Sequence, residues 1–347
     1  MKHCRWLVRN ALFCLVATLV AGSGLAQQGA RLRPAVRVDP IEAILDAFGT
    51  HNVVALGEPH GNEQAHAFRV SLIRDPRFAA TVNDIVVECG NARYQDVMDR
   101  FVRGEDIPDA SLRPVWQNTT VANFVWDRPI YEEFFRTVRA VNASRPKTSQ
   151  IRVLLGDPPI DWSNVHSVED HLHWLRERDS YPANIIRQEV FAKQRRALVV
   201  YGDGHLWRND AGENLVRLLE SVGGTKVFTI STPTAADLVT VQADIASWSK
   251  PSIALLRETV LGATEFAPLF KLPSGRFHSL RMEEQVDALL YLGPPSAMTV
   301  SRLSPSLCSD AAYVEMRLRR MAFDPGPPGS PAPIDRLKQN CAAVVGR

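Results

Sequence analysis

Four short stretches hold the residues able to do acid–base or metal chemistry: Gly57-Glu58-Pro59-His60-Gly61, Glu88-Cys89-Gly90, Gly156-Asp157 and Gly202-Asp203-Gly204-His205. Each closes an apolar run with a carboxylate, and the first and last add a histidine. A neutral imidazole takes a proton from water near pH 7 when a carboxylate holds its other ring nitrogen and stabilises the charged form. His60 and His205 are the candidate imidazoles, Glu58 and Glu88 the candidate orienting carboxylates, and Asp157 and Asp203 are expected at or just behind the wall of the same site. The same donors, with Glu58, His60 and His205 foremost, also suit a divalent cation that keeps open positions for water. Spacing leaves both chemistries open. A single carboxylate after a strand is ordinarily a helix cap, and a single histidine is ordinarily structural. What sets these apart is recurrence at four strand ends, with both histidines beside carboxylates in glycine-flanked turns.

The elements that must position these residues follow from hydrophobic patterning. Short, largely apolar runs at 52–56, 84–87, 151–155, 197–201, 226–230 and 288–292 alternate with helical patterns at 41–48, 63–73, 94–103, 130–142, 168–176, 183–193 and 214–222. Continuous apolar strands separated by helices predict an α/β fold: a mostly parallel central sheet covered by helices on both faces, with helical insertions. In such sheets ligands bind beyond the carboxyl ends of the strands, where all four stretches fall. The Trp-, Asn- and Thr-containing segment 112–129 breaks the alternation and reads as a packed connector, with a lid or specificity insert as the alternative. No phosphate-binding Gly-x-x-x-x-Gly-Lys run, His-Glu-x-x-His helix or Gly-x-Ser-x-Gly turn occurs in the mature region, which disfavours a nucleotide-dependent enzyme, a standard zinc protease and an α/β-hydrolase.

Residues 1–26 have the order of a secretory signal: Lys2, Arg5 and Arg9, then an apolar run from Ala11 to Ala21, then small residues ending at Ala26. That run is shorter than a membrane span needs, so the expectation is a released periplasmic or secreted protein with no stable membrane insertion after cleavage. Cleavage removes three of the 40 basic residues and none of the 38 acidic ones, leaving 37 against 38, a net −1. A near-neutral chain carries no footprint for nucleic acid; the expected partner is a small-molecule substrate. Arg317, Arg319 and Arg320 read as a solvated helix face. The organisation expected is a signal peptide (1–26), an irregular leader (27–38), one α/β domain (39–300) and a C-terminal segment (301–347). Cys308 and Cys341 flank a Pro/Gly-rich loop and are placed to pair in an oxidising compartment, stapling that segment, while Cys89 is read as a small core residue.

Three regions together resemble the superfamily that contains erythromycin esterases, ChaN and Tiki proteins: Val54-Ala55-Leu56-Gly57-Glu58-Pro59-His60-Gly61-Asn62, the acidic strand end at Glu88, and Val199-Val200-Tyr201-Gly202-Asp203-Gly204-His205-Leu206. The resemblance spans about Asp39 to Leu292. By likeness to the esterases, His60 is the base for a metal-independent attack of water on an ester, Glu58 and Glu88 support it, and His205 aids substrate or transition state. Arg69 falls about where that branch carries an arginine. Tiki proteins imply a metal-dependent peptidase instead, and ChaN implies haem binding. One residue, Pro59, separates Glu58 from His60, as in ChaN, and His66 echoes the ChaN first motif. The expected function is hydrolysis of an ester or amide at His60, metal-assisted or not. The alternative is a non-catalytic haem- or iron-binding protein using His60, His66 or His205.

Overall fold

Eight strands form one sheet in the order β1-β7-β8-β6-β2-β5-β3-β4: β1 Arg37–Val38, β2 Val53–Gly57, β3 Asp84–Asn91, β4 Arg152–Asp157, β5 Ala197–Tyr201, β6 Val227–Ser231, β7 Ser252–Leu255 and β8 Ala288–Tyr291. The structure is a computed structural model and describes residues 32–208, 212–270, 272, 279–324 and 331–345. The segment read as a signal peptide and the start of the leader lie outside the described residues. β7 alone runs against the others, so the sheet is mostly parallel, as the patterning predicts. The leader is not irregular throughout, because Arg37 and Val38 add an edge strand to β7.

Strand residues alternate between two apolar layers. Val54, Leu56, Ile85, Val87, Leu198 and Val200 face one layer, which includes Phe68, Leu72 and Phe134. Val53, Ala55, Val86, Ala197, Val199 and Tyr201 face the other, with Ala183, Ile186 and Leu215. Alternation into two covered faces is why β2, β5 and β3 are buried along their whole length and read as unbroken apolar runs. The first layer is built from the helices Pro40–Ala47, Glu63–Arg74 and Pro129–Ala143. In place of a single helix over 183–193, the second layer has a helix at Ser180–Ile185 running into a π-helical turn at Ile186–Phe191. No helix among the described residues is long and apolar enough to cross a membrane.

Cys308 and Cys341 are joined by a disulfide and Cys89 is free and buried. Both bonded cysteines lie within 301–347, so the disulfide ties that segment to itself. What docks it on the sheet body is a buried ion pair: Arg317 Nη2 and Tyr313 Oη donate to Asp127 Oδ2 at 2.5 and 2.6 Å. Arg317 is therefore not solvated, but is the charge partner that makes a buried Asp127 tolerable. Arg320 binds Gln117 O and Asn118 Oδ1, and only Arg319 pairs on the exposed face, with Glu315.

Candidate active site

Strand parity sends the two glutamates into different layers. Glu58, two residues beyond Leu56, meets the first layer: Arg69 Nη2 lies 3.3 Å and Tyr131 Oη 3.2 Å from its Oε1. Glu88, two residues beyond Val86, meets the second: Arg178, on the joint between the helices Val168–Arg176 and Ser180–Ile185, donates to its Oε1. Each buried carboxylate thus receives an arginine from its own layer. Burial by itself would raise the Glu58 carboxyl, and Arg69 followed by His60 brings it below its ordinary value. Burial likewise opposes ionisation of Glu88, but His205, His60 and Arg178 hold it well below the usual carboxylate range.

The histidines close over these carboxylates from strand ends β2 and β5. His60 Nδ1 is 2.6 Å from Glu58 Oε2. His205 Nδ1 is 2.7 Å from Asp179 Oδ1, and its Nε2 is 3.5 Å from Glu88 Oε1. Between them Gly202 N donates to Glu88 Oε2 at 2.8 Å. A Cβ on Gly202 would stand 3.4 Å from both Glu88 Oε2 and His60 Nε2, so the free edge of His60 and the second glutamate face one small space. His60, His205, Glu58 and Glu88 are thereby brought together, although 147 positions (205 − 58) separate the first from the last.

The two imidazoles differ in kind. The His60 side chain is 38% exposed, whereas that of His205 is 18% exposed. Burial works against charging His60, and Glu88 with the hydrogen-bonded Glu58 outweighs it, raising its pKa. With so much of the ring in solvent, the burial cost is the smaller effect here, and the rise due to the carboxylates stands. His205 meets the same opposition from burial but gains more from Glu88 and Asp179, and is pushed up to about 9. Near pH 7 it is a cation.

Other residues singled out in the sequence lie behind these groups. Arg69 is buried against Glu58. His66 is buried with Nε2 3.1 Å from Glu133, on another helix, which takes it out of the cluster. Asp157 is buried, its carboxylate accepting from Thr120 N at 2.7 Å and Thr120 Oγ1 at 2.5 Å, and burial lifts it to about 7. Asp203, half-buried, accepts from Thr232 N at 3.3 Å and is raised by burial to about 6. Cys89 lines the core beneath, where burial pushes its thiol up and away from nucleophilic use.

The wall includes residues that sequence reasoning missed. Trp126, from the 112–129 connector, sets its ring edge-on to His60 at 4.7 Å and to Tyr131 at 4.9 Å. The connector is therefore packed and also part of the site. Arg178 and Asp179 carried no motif; an Arg-Asp pair in a helix joint gives no period or turn signal.

A metal does not fit these donors. Among the described residues no three His, Cys, Asp or Glu side chains are grouped to hold one. Arg69 and Arg178 occupy the cationic positions against Glu58 and Glu88. The cavity below the site, between Glu58, Val87, Trp126, Tyr131 and Phe134, holds about 10 Å³.

No family model and no curated protein matches the chain. Among solved structures it is similar to a succinoglycan biosynthesis protein at 10% identity and TM-score 0.55, covering 78% of this chain and 96% of that one. It is similar to a Bacillus cereus protein at 11% identity and TM-score 0.51, covering 78% and 97%. A structure of haem-bound ChaN of Campylobacter jejuni matches at 13% identity, covering 56% and 86%, with a TM-score of 0.37, too low to carry an argument. What this chain shares with the first two is the α/β fold.

Proposed function

We propose that this chain is a hydrolase that activates water at His60 to cleave an ester or amide bond. The observation that carries the reading is the 2.6 Å contact of His60 Nδ1 with Glu58, on a ring partly open to solvent, with its other edge turned toward Glu88 across Gly202. Glu58 holds the proton on Nδ1 and leaves Nε2 as the acceptor. Water gives its proton to Nε2 and its oxygen to the carbonyl carbon. His205, charged near neutrality, gives a proton to the departing oxygen or nitrogen, and Arg178 places positive charge beside the developing oxyanion. The proton on His60 then returns to His205 through solvent. Two imidazoles held by different carboxylates supply the base and the acid.

The test is turnover of aryl esters and amides by the chain purified without residues 1–26. His60→Ala should lower kcat/KM by about 10² or more, since a positioned base contributes about 10²–10⁴, and chelators should leave the rate unchanged. The pH profile should be a bell, its acid limb set above the ordinary histidine value by His60 and its alkaline limb near 9 by His205; as the groups interact, both limbs belong to the pair. Absence of turnover, together with a Soret shift on haem titration that is lost in His60→Ala, would replace hydrolysis with the haem-binding alternative.

We also propose that the protein acts outside the cytoplasm. The order of charged, apolar and small residues in 1–26 and the Cys308–Cys341 disulfide support this. Mass spectrometry of the exported protein should find a chain starting near Gln27 with that disulfide intact.

A further inference from the structure

At the opposite pole of the sheet from the histidines, where β3, β4 and β5 begin, lies a polar pocket of about 220 Å³. Its lining includes Arg103, Lys147, Arg152, Lys193 and Arg195, with Glu189 as the acidic member. Two further carboxylates stand behind it. Asp99 grips Arg152 through Nε and Nη2, both at 3.0 Å, and Asp84 grips Arg195 through Nε and Nη2, both at 2.6 Å. Glu189 is shared by Arg152 at 2.6 Å and Lys193 at 2.7 Å. Five cations thus face three carboxylates, an excess of two positive charges, and the two without an acidic partner among the described residues are the exposed Arg103 and Lys147.

Gln194, between Lys193 and Arg195, has φ of 52°, a left-handed backbone that a glutamine adopts at a cost. The excess of positive charge on the lining suits a phosphate oxyanion. The guanidinium forks of Arg152 and Arg195, already fixed by bidentate carboxylates, form a rigid floor, and the free Arg103 and Lys147 form the cationic rim.

We infer that this pocket is a binding site for a phosphate group, separate from the histidine site and independent of the reaction proposed there. The volume admits the phosphate head of a ligand rather than a whole drug-sized molecule. That head belongs either to a small phosphorylated molecule or to a phospholipid.

The experiment is titration calorimetry of the chain without residues 1–26 with sodium phosphate and pyrophosphate at low chloride, and sedimentation with vesicles of phosphatidic acid in phosphatidylcholine. Phosphate and pyrophosphate should bind, and binding should weaken as salt is added. The double variant Arg103→Ala/Lys147→Ala should bind about tenfold more weakly, as expected for two exposed charge contacts, with unchanged thermal stability because neither side chain is buried. Binding of the soluble anions alone supports a small phosphorylated ligand, and added vesicle binding that the double variant loses supports a lipid headgroup. The inference is overturned if phosphate and pyrophosphate bind no more tightly than about 10 mM, or if the double variant binds like the parent.

Discussion

Gly202→Ala is the sharpest test of the space between His60 and Glu88. Gly202 has φ of −54° and ψ of 141°, so alanine meets no backbone strain there. Its methyl would stand 3.1 Å from His60 Cε1 and 3.4 Å from both His60 Nε2 and Glu88 Oε2, where a water activated by His60 is proposed to stand. A contact of 3.1 Å asks the ring to yield by a few tenths of an ångström, and a side chain 38% exposed has room to do so. Removing a glycine from the unfolded chain is worth about 0.4–1 kcal/mol, which offsets a mild crowding cost. The net change in stability should stay within about 1 kcal/mol, or about 2–4 °C in Tm for a domain of this order of size. Activity should behave otherwise. If the methyl displaces the reacting water, the base contribution is lost and kcat/KM falls by about 10² or more, equivalent to about 3 kcal/mol of barrier.

The assay pairs aryl-ester kinetics with urea unfolding, and Gly204→Ala serves as the control because a Cβ there meets nothing within 4 Å. Wild-type kcat/KM in Gly202→Ala would refute the reasoning, as would an equal loss in Gly204→Ala. Either result would mean that the space between the imidazole and the carboxylate is not where the reaction happens.

Three other outcomes are expected. His205 has its folded pKa raised to about 9 from an ordinary 6.5, so its stabilising contribution, at most about 3 kcal/mol, is fully present below about 6.5 and is lost as pH rises through about 9; urea midpoints between pH 6 and 10 should fall in wild type and lose that slope in His205→Gln. Arg317→Met leaves Asp127 buried without its ion-pair partner and should cost about 3–5 kcal/mol by chemical denaturation, with much of it recovered in Arg317→Met/Asp127→Asn; a loss below about 1 kcal/mol would show that the pair does not dock the C-terminal segment. Gly156→Ala places a Cβ 1.9 Å from Tyr201 Oη, a buried hydroxyl with no hydrogen-bond partner among the described residues, so it should destabilise by about 1–3 kcal/mol while Tyr201→Phe is nearly neutral and rescues part of the loss; additive effects in the double variant would contradict this packing.

Much of the sheet was legible because burial on both faces leaves a strong trace in a chain. The six apolar runs at 52–56, 84–87, 151–155, 197–201, 226–230 and 288–292 correspond to β2, β3, β4, β5, β6 and β8, within a residue or two at most boundaries. β3 runs on through Glu88 to Asn91, since a polar residue inside a strand reads as its end. β1 and β7 were missed. One is two residues long and the other four, both lie toward one edge, and in neither does a short run alternate long enough to announce a strand. The Arg317 cluster misled for a related reason: a charged residue on a helix reads as solvated until a carboxylate from another segment is found to face it.

Local sequence determined that acidic and histidine residues stand at the carboxyl ends of parallel strands, and that rule of topology was enough to bring Glu58, His60, Glu88 and His205 to one end of the sheet. It did not determine what each of them meets. Alternation of side chains along a strand sends Glu58 and Glu88 to opposite layers, and only the packing of those layers chose Arg69 and Tyr131 for one and Arg178 for the other. The same packing set Asp179 against His205 and Trp126 against His60, and sealed Asp157 on Thr120. Partners of this kind come from connectors dozens of residues away, and their identity depends on distances of a few ångströms that no period, cap or turn records.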